Sequence, residues 1–283
     1  MKRRSFFQTA AGGLAFAAAP NFQAAEFSGM KLGLVTYNWG KGWELPELLK
    51  QCEKAKFSGI ELRSTHAHKV EPNLSAEQRK EVARMFADSP VECVGPGTAC
   101  EYHSADPAVL KKNIEETKAF ILLCKDIGGT GIKVRPNGLP KDVPVEKTLE
   151  QIGKSLDEVA AFGADHGVEI RTEVHGKGTQ EIPNIISIFK HSEHPNSKVC
   201  WNCNPADLEG DGLKKNYLAL KDRVSTIHIH DLRHEEKYPW AEFFALLKET
   251  GFNGWTLVEE GKVPDDIPAA MAEVRTVWEE LAS

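Results

Sequence analysis

The sequence predicts a single-domain α/β protein built as a closed (β/α)8 barrel. Short apolar runs alternate with helical patterns eight times along the chain, and no linker-like segment interrupts them. Strands that alternate with helices pair in parallel, because each crossover returns the chain to the same edge of the sheet. The length of 283 residues also fits, since such a barrel takes about 250 residues.

The eight strands are predicted from short apolar runs bounded by polar or turn-forming residues. They cover residues 31–37, 59–63, 91–95, 130–134, 168–173, 198–202, 224–230 and 255–259.

Eight helices are predicted after these strands from apolar residues at helical spacing. Ser75 with Gln78 three residues later forms a capping-box pattern, and Asp106 before a proline suits a helix start. The helices cover residues 45–57, 75–88, 106–126, 145–166, 182–191, 213–222, 240–250 and 267–281.

A doubly wound open sheet is the competing fold. It usually carries a glycine-rich phosphate loop after its first strand, and residues 37–42 lack that pattern. We therefore predict a (β/α)8 TIM barrel over residues 26–283.

Residues 1–25 are predicted to be an export signal of the twin-arginine type. Arg3 and Arg4 precede two aromatic residues, an apolar alanine-rich run follows, and small residues return at Ala24 and Ala25. This order is typical of secretory signals, and the arginine pair indicates the route that carries folded proteins. We expect an exported, periplasmic protein; an amphipathic or disordered N-terminus is the alternative.

The charge and hydropathy of the chain argue against a nucleic-acid partner and against a stable membrane span. The formal net charge is −6, and residues 1–25 hold three basic and no acidic residues, so cleavage would give −9. A net acidic body disfavours nucleic acid. No apolar run is long enough to form a stable membrane span.

Six cysteines are too few for a disulfide scaffold in a chain of this length. Cys200 and Cys203 have the spacing of a redox motif. They are predicted at a strand end rather than at the start of a helix, which does not favour redox chemistry.

Polar residues collect at the predicted carboxyl ends of the strands, where barrel enzymes place their active sites. Glu173 ends strand five and Glu259 ends strand eight, so the two face each other across the barrel mouth. Buried carboxylates are costly without a partner, and a divalent cation would offset that cost. The alternative is a set of ion pairs, for example Glu173 with Arg171 or Lys133.

Strand seven ends with two histidines on one face. Side chains alternate along a strand, so His228 and His230 point one way while Ile227 and Ile229 point the other. Two carboxylates, an imidazole and an amide or carboxylate suit Mn²⁺, Mg²⁺ or Co²⁺, with Zn²⁺ as a further candidate.

At these residues the chain resembles the xylose isomerase-like barrels, which include sugar-phosphate isomerases and epimerases, ketose 3-epimerases, inosose dehydratases and endonuclease IV. The resemblance covers nearly the whole chain after the signal. It is carried by Gly59-Ile60-Glu61-Leu62, Thr172-Glu173-Val174-His175, Trp201-Asn202-Cys203-Asn204, Ile227-His228-Ile229-His230-Asp231 and Gly254-Trp255-Thr256-Leu257-Val258-Glu259.

The resemblance implies a metal site whose ligands come from strands five to eight. Asn202 departs from the family pattern, which has Asp there, so the site holds two ligand carboxylates instead of three and should bind metal more weakly. Asp207 either compensates or caps the following turn. The implied ligands are Glu173, Asn202, His228 and Glu259.

The implied activity is isomerisation or epimerisation of a sugar or keto-sugar through a metal-bound enediolate. Glu173 and Glu259 would remove and return the proton. Other polar residues at the mouth would bind a carbohydrate substrate, although a structural role is open for each of them. These residues are His66, His68, His103, Lys133, Arg135, His175 and His230.

Two other functions remain open. One is an exported lyase or hydrolase of keto-sugar derivatives, and the other is a non-catalytic carbohydrate-binding barrel, which the neutral Asn202 favours. Endonuclease activity is disfavoured by the acidic charge, the export signal and the missing carboxylate.

Overall fold

The computed structural model describes residues 29–283 and shows eight parallel strands closed into a barrel in sequence order. The predicted (β/α)8 fold is confirmed. The strands are β1 (Lys31–Val35), β2 (Gly59–Arg63), β3 (Glu92–Glu101), β4 (Gly131–Arg135), β5 (Glu169–Glu173), β6 (Ser197–Asn202), β7 (Val224–Ile229) and β8 (Trp255–Val258). The predicted signal of residues 1–25 lies outside the described residues.

Each strand is followed by a helix that packs on the outside of the barrel. The helices are α1 (Leu45–Ala55), α2 (Ala76–Ala87), α3 (Pro107–Asp126), α4 (Val145–Ala164), α5 (Ile182–Lys190), α6 (Leu213–Leu220), α7 (Trp240–Glu249) and α8 (Ile267–Ala282). The capping box of Ser75 and Gln78 is present, and Asp106 caps α3 through Ala108 N–H. A short 3-10 turn, Pro205–Leu208, precedes α6.

Strand β3 is longer than the predicted residues 91–95. Gly95-Pro96-Gly97 resembles a strand end in sequence, yet the strand continues through it with register shifts against both neighbours. Gly95 has a φ of 139°, and a Cβ there would lie 1.7 Å from the carbonyl oxygen of Gly131. The two strands approach too closely for any side chain at this position.

Glycines on the inner face of the barrel make room for large side chains from other strands. A Cβ on Gly59 would lie 2.5 Å from the Trp255 ring, and a Cβ on Gly97 would lie 2.6 Å from Glu61 Oε1. At these two positions, a glycine on one strand faces a large side chain from another strand. The main hydrophobic core lies between the strands and the helices.

Two of the expectations concern disulfide bonds and membrane spans. All six cysteines are buried free thiols. Within residues 29–283, no helix is both long enough and apolar enough to cross a membrane.

Candidate active site

Five charged or titratable side chains meet inside the barrel near the carboxyl ends of its strands, and we call them the central cluster. Each is at most 7% exposed. Side-chain alternation along the strands turns them to the inner face of the barrel. The members are Glu61 on β2, Lys133 on β4, Glu173 on β5, His228 on β7 and Glu259 directly after β8.

His228 lies at the centre of this cluster. Its Nδ1 atom is 3.4 Å from Glu173 Oε1 and 3.2 Å from Glu259 Oε2, and its Nε2 atom is 3.3 Å from Glu61 Oε2. Burial alone would lower the pKa of His228, but the neighbouring Cys200 sulfur and the carboxylates of Glu61 and Glu259 raise it well above its usual value. The structure thus brings three of the four expected ligands together.

These three side chains have the spacing that a divalent cation requires. One ligand atom each from Glu173, His228 and Glu259 all lie within 4.8 Å of one another. When Nε2–H is donated to Glu61, a neutral imidazole turns its Nδ1 lone pair toward both carboxylates. Oxygen and nitrogen donors of this kind suit Mn²⁺, Mg²⁺, Co²⁺ or Zn²⁺. The residues present therefore fit a divalent metal.

Lys133 forms one of the ion pairs that the sequence left open. Its Nζ atom is 2.7 Å from Glu173 Oε2, inside the barrel. Burial alone would raise the pKa of Glu173, but Lys133 and His228 hold it well below its usual range. Arg171, the other suggested partner, is 3.0 Å from Glu169 Oε2 instead. Lys133 thus contacts Glu173 Oε2, while Glu173 Oε1 faces His228.

Asn202 lies beside His228, since the two residues pair across β6 and β7. Its Oδ1 atom is 2.7 Å from His230 Nε2, while His230 Nδ1 is 2.6 Å from the Glu259 carbonyl oxygen. The backbone carbonyl only accepts, so His230 Nδ1 donates to it. His230 Nε2 contacts the side-chain amide of Asn202. His230 therefore holds this amide beside His228, at the expected fourth ligand position.

Asp207 lies in the 3-10 turn and is fully buried. Its Oδ2 atom accepts hydrogen bonds from Asn204 N–H and from the Tyr238 hydroxyl, both at 3.0 Å. Of the two roles considered for this residue, the structure shows the capping one. Burial raises the pKa of Asp207 to about 7.

A second polar group lies on the rim above β3, β4 and β5, with Glu101 at its centre. Glu101 Oε1 accepts from Arg135 at 2.7 Å and from Asn137 at 2.5 Å. Asn137 Oδ1 is in turn 2.9 Å from His175 Nδ1, and His103 Nδ1 is 3.6 Å from Glu101 Oε2. Three predicted substrate-binding residues, His103, Arg135 and His175, are therefore gathered on one side of the mouth.

The two histidines after β2 lie in different surroundings. His68 is buried, with Nε2 2.8 Å from the Arg63 carbonyl oxygen and Nδ1 accepting from Val70 N–H, and burial lowers its pKa to about 4. Both of its nitrogens are engaged by backbone groups. His66 is half-buried and its Nδ1 atom is 3.4 Å from the Thr36 hydroxyl. Their predicted roles in substrate binding stay predictions.

Glu61, Arg63 and Glu101 were not among the residues predicted to form the site. Strand alternation is the signal that identifies the first two, because Glu61 and Arg63 lie two residues apart on the inner face of β2. Glu101 ends a strand whose length was underestimated, so its contacts were not foreseen.

The sequence profile of the xylose isomerase-like TIM barrel family matches residues 49–281. An L-ribulose 3-epimerase from Methylomonas sp. (strain DH-1) is 22% identical over 200 residues, which cover 66% of this chain and 69% of that protein.

Solved structures share the fold at low sequence identity. D-psicose 3-epimerase with D-tagatose from Clostridium cellulolyticum H10 has a TM-score of 0.74 at 16% identity, covering 89% of this chain and 99% of that chain. The IOLI protein with a bound zinc atom has a TM-score of 0.71 at 18% identity, covering 89% and 96%.

Proposed function

The chain belongs to the xylose isomerase-like TIM barrel family, and from that premise we propose that it is a divalent-metal-dependent isomerase or epimerase of a sugar or keto-sugar. The observation that carries the proposal is the convergence of Glu173, His228 and Glu259 within 4.8 Å at the carboxyl end of the barrel. Similarity to an L-ribulose 3-epimerase and to a D-psicose 3-epimerase supports this class of reaction.

Glu173, His228 and Glu259 would hold the cation, with the Asn202 oxygen as a fourth ligand. When bound, a divalent cation supplies polarisation of neighbouring carbonyl and hydroxyl oxygens, which acidifies the adjacent C–H bond. The fixed charge of Lys133 and the hydrogen bond from His228 to Glu61 keep these groups oriented.

The two carboxylates perform the proton transfer. One takes the proton from the carbon beside the carbonyl, and the other delivers a proton to the opposite face, so the configuration inverts. Their surroundings differ, because Glu173 is held by Lys133 while Glu259 Oε1 faces Arg63 at 4.0 Å. Proton exchange with solvent returns the two carboxylates to their starting protonation states between turnovers.

The rim residues His103, Arg135 and His175, together with His66 and His230, are proposed to bind substrate hydroxyls. We also propose that residues 1–25 are an export signal, so that the protein would meet its substrate in the periplasm. Retention of the protein in the cytoplasm after replacement of Arg3 and Arg4 by Lys would test that route.

The proposal is tested by metal analysis and isotope exchange. The purified protein is assayed for bound metal, loaded with Mn²⁺, Mg²⁺, Co²⁺ or Zn²⁺, and incubated in D₂O with a panel of ketoses and keto-glycosides. Deuterium incorporation without cleavage is expected. Release of an aglycone would indicate a lyase or hydrolase instead, and an inert, metal-free protein would leave the carbohydrate-binding barrel.

The roles of the carboxylates are tested on the same assay. Glu173→Gln and Glu259→Gln should each abolish exchange, whereas Glu53→Gln, on the exposed face of α1, should not. Full activity of either of the first two variants would remove the proposed acid and base pair.

A further inference from the structure

Arg63 has an unusual set of contacts. Among residues 29–283 it is the arginine whose guanidinium makes no hydrogen bond to the protein. Its nearest carboxylate oxygen is Glu259 Oε1, 4.0 Å from Nη1, which is beyond hydrogen-bonding distance. Every other arginine in this range donates at least one hydrogen bond, namely Arg79, Arg84, Arg135, Arg171, Arg223, Arg233 and Arg275.

The backbone of Arg63 is nevertheless firmly held. Its N–H donates to the Thr36 hydroxyl at 2.9 Å, and its carbonyl oxygen lies 2.8 Å from His68 Nε2. The guanidinium carbon lies 4.9 Å from the centre of the Tyr37 ring, which supports the side chain from one side. The group is thus held in place while its donors remain available.

Arg63 also lies on the open side of the centre. Glu259 Oε2 faces His228 at 3.2 Å, whereas Glu259 Oε1 faces Arg63. The Arg63 side chain is 26% exposed, against 9% for Glu259. The guanidinium is therefore more accessible to a ligand than the Glu259 carboxylate is.

The charges around the centre favour an anionic ligand. Three carboxylates of the central cluster stand against two basic groups, Lys133 and Arg63, which leaves one negative charge when His228 is neutral. A divalent cation would turn this into one positive charge. An Asp at position 202 would cancel that charge, but Asn202 does not. An uncompensated charge in a nearly buried site is unfavourable, and one carboxylate on the substrate would balance it.

We propose that Arg63 binds a substrate carboxylate, so that the substrate is a keto-sugar acid. This inference rests on the proposed function, since it assumes a sugar-like substrate at this mouth. A guanidinium presents two parallel N–H donors that match the two oxygens of a carboxylate, and such pairs are stronger than hydrogen bonds to hydroxyls.

The test compares two ligands that differ only at one end. D-gluconate carries a carboxylate where D-glucitol carries a hydroxymethyl group, and the binding of each to the Mn²⁺-loaded protein is measured by isothermal titration calorimetry. Gluconate should bind at least about tenfold more tightly than glucitol. Equal affinity would overturn the inference, as would tighter binding of D-glucose 6-phosphate, which would replace the carboxylate by a phosphate.

Variants identify the residue responsible. Arg63→Met should remove the preference for gluconate, and Arg63→Lys should retain part of it because the charge stays while the paired donors are lost. Arg233→Met, which removes an arginine bonded to Glu273 on the surface, should leave the preference intact. A preference that survives Arg63→Met would overturn the inference, because the carboxylate would then be bound elsewhere, for example by the metal.

The same preparations separate this inference from the proposed function. Bound metal and deuterium exchange into neutral ketoses, without a preference for gluconate, would refute the role of Arg63 and support the isomerase. A preference for gluconate in a protein that binds no metal and catalyses no exchange would support the role of Arg63 and refute the isomerase.

Discussion

Lys133 and Glu173 form an ion pair inside the barrel, with Nζ and Oε2 2.7 Å apart and side chains only 1% and 3% exposed. Burial alone would lower the pKa of Lys133, but the carboxylates of Glu173, Glu61 and Glu259 raise it. Both partners are therefore charged at neutral pH. Each buried charge is stabilised by the opposite charge beside it.

Replacement of Lys133 by Met should destabilise the protein by about 3–5 kcal/mol, because it leaves Glu173 buried without its partner. The free energy of unfolding from urea titration, in the absence of added metal, measures this change. Lys31→Met is the matched control, since Lys31 pairs with Glu92 at 2.9 Å on the surface, and exposed pairs contribute about 0–1 kcal/mol. Similar losses in both variants would contradict the prediction.

Asn202→Asp should strengthen binding of divalent cations by at least about tenfold, because affinity rises with the number of charged ligands. The dissociation constant for Mn²⁺ measures the effect. Asn253→Asp adds the same charge at an exposed position before β8 and should leave it unchanged. An unaltered constant in Asn202→Asp would mean that residue 202 does not contact the metal.

Glu61→Gln should weaken Mn²⁺ binding by about tenfold, since carboxylates that bond the second nitrogen of a metal-binding histidine increase its basicity. Glu61 Oε2 lies 3.3 Å from His228 Nε2. The exposed Glu53→Gln serves as the control. If both variants bind Mn²⁺ like the wild type, Glu61 does not orient His228.

Asp207 should make the protein less stable as the pH rises from about 4 to about 7. Its folded-state pKa of about 7 lies above its ordinary value of 3.8, so the native state holds the proton more tightly than the unfolded state. Below about pH 4, Asp207 is protonated in both the folded and the unfolded state. Above about pH 7, the loss of stability is constant and amounts to up to about 4 kcal/mol.

Asp207→Asn cannot ionise at this position, so it should not show this loss of stability. The difference in the free energy of unfolding, variant minus wild type, should therefore increase as the pH rises from about 4 to about 7. Urea titrations at several pH values measure it, and Asp142→Asn, at an exposed position, should run parallel to the wild type. A curve for Asp207→Asn that also runs parallel would contradict the assignment.

The order and type of the elements could be predicted because each strand and helix has its own apolar pattern. The helix starts at Ser75 and Asp106 were predicted from their capping side chains, and both caps are present. Strand β3 was predicted too short, because its Gly-Pro-Gly sequence is explained only by the close approach of Gly131 on the next strand.

The part of the candidate site that lies directly at the strand ends could be predicted from the sequence. Glu173, His228 and Glu259 were expected to share the mouth, and the structure brings them together. The partner of Glu173 could not be chosen from the sequence, since Arg171 lies two residues before it on β5 and Lys133 lies on the neighbouring β4. The contact between Asn202 and His230 depends on the register of β6 with β7, which the strand pattern does not define.

The contact between Gly59 and Trp255 has a consequence for how this chain can diverge. A Cβ on Gly59 meets the Trp255 ring at 2.5 Å. A larger residue at position 59 on β2 is therefore tolerated only together with a smaller one at position 255 on β8. Among homologues, positions 59 and 255 should change size in opposite directions and in the same lineages.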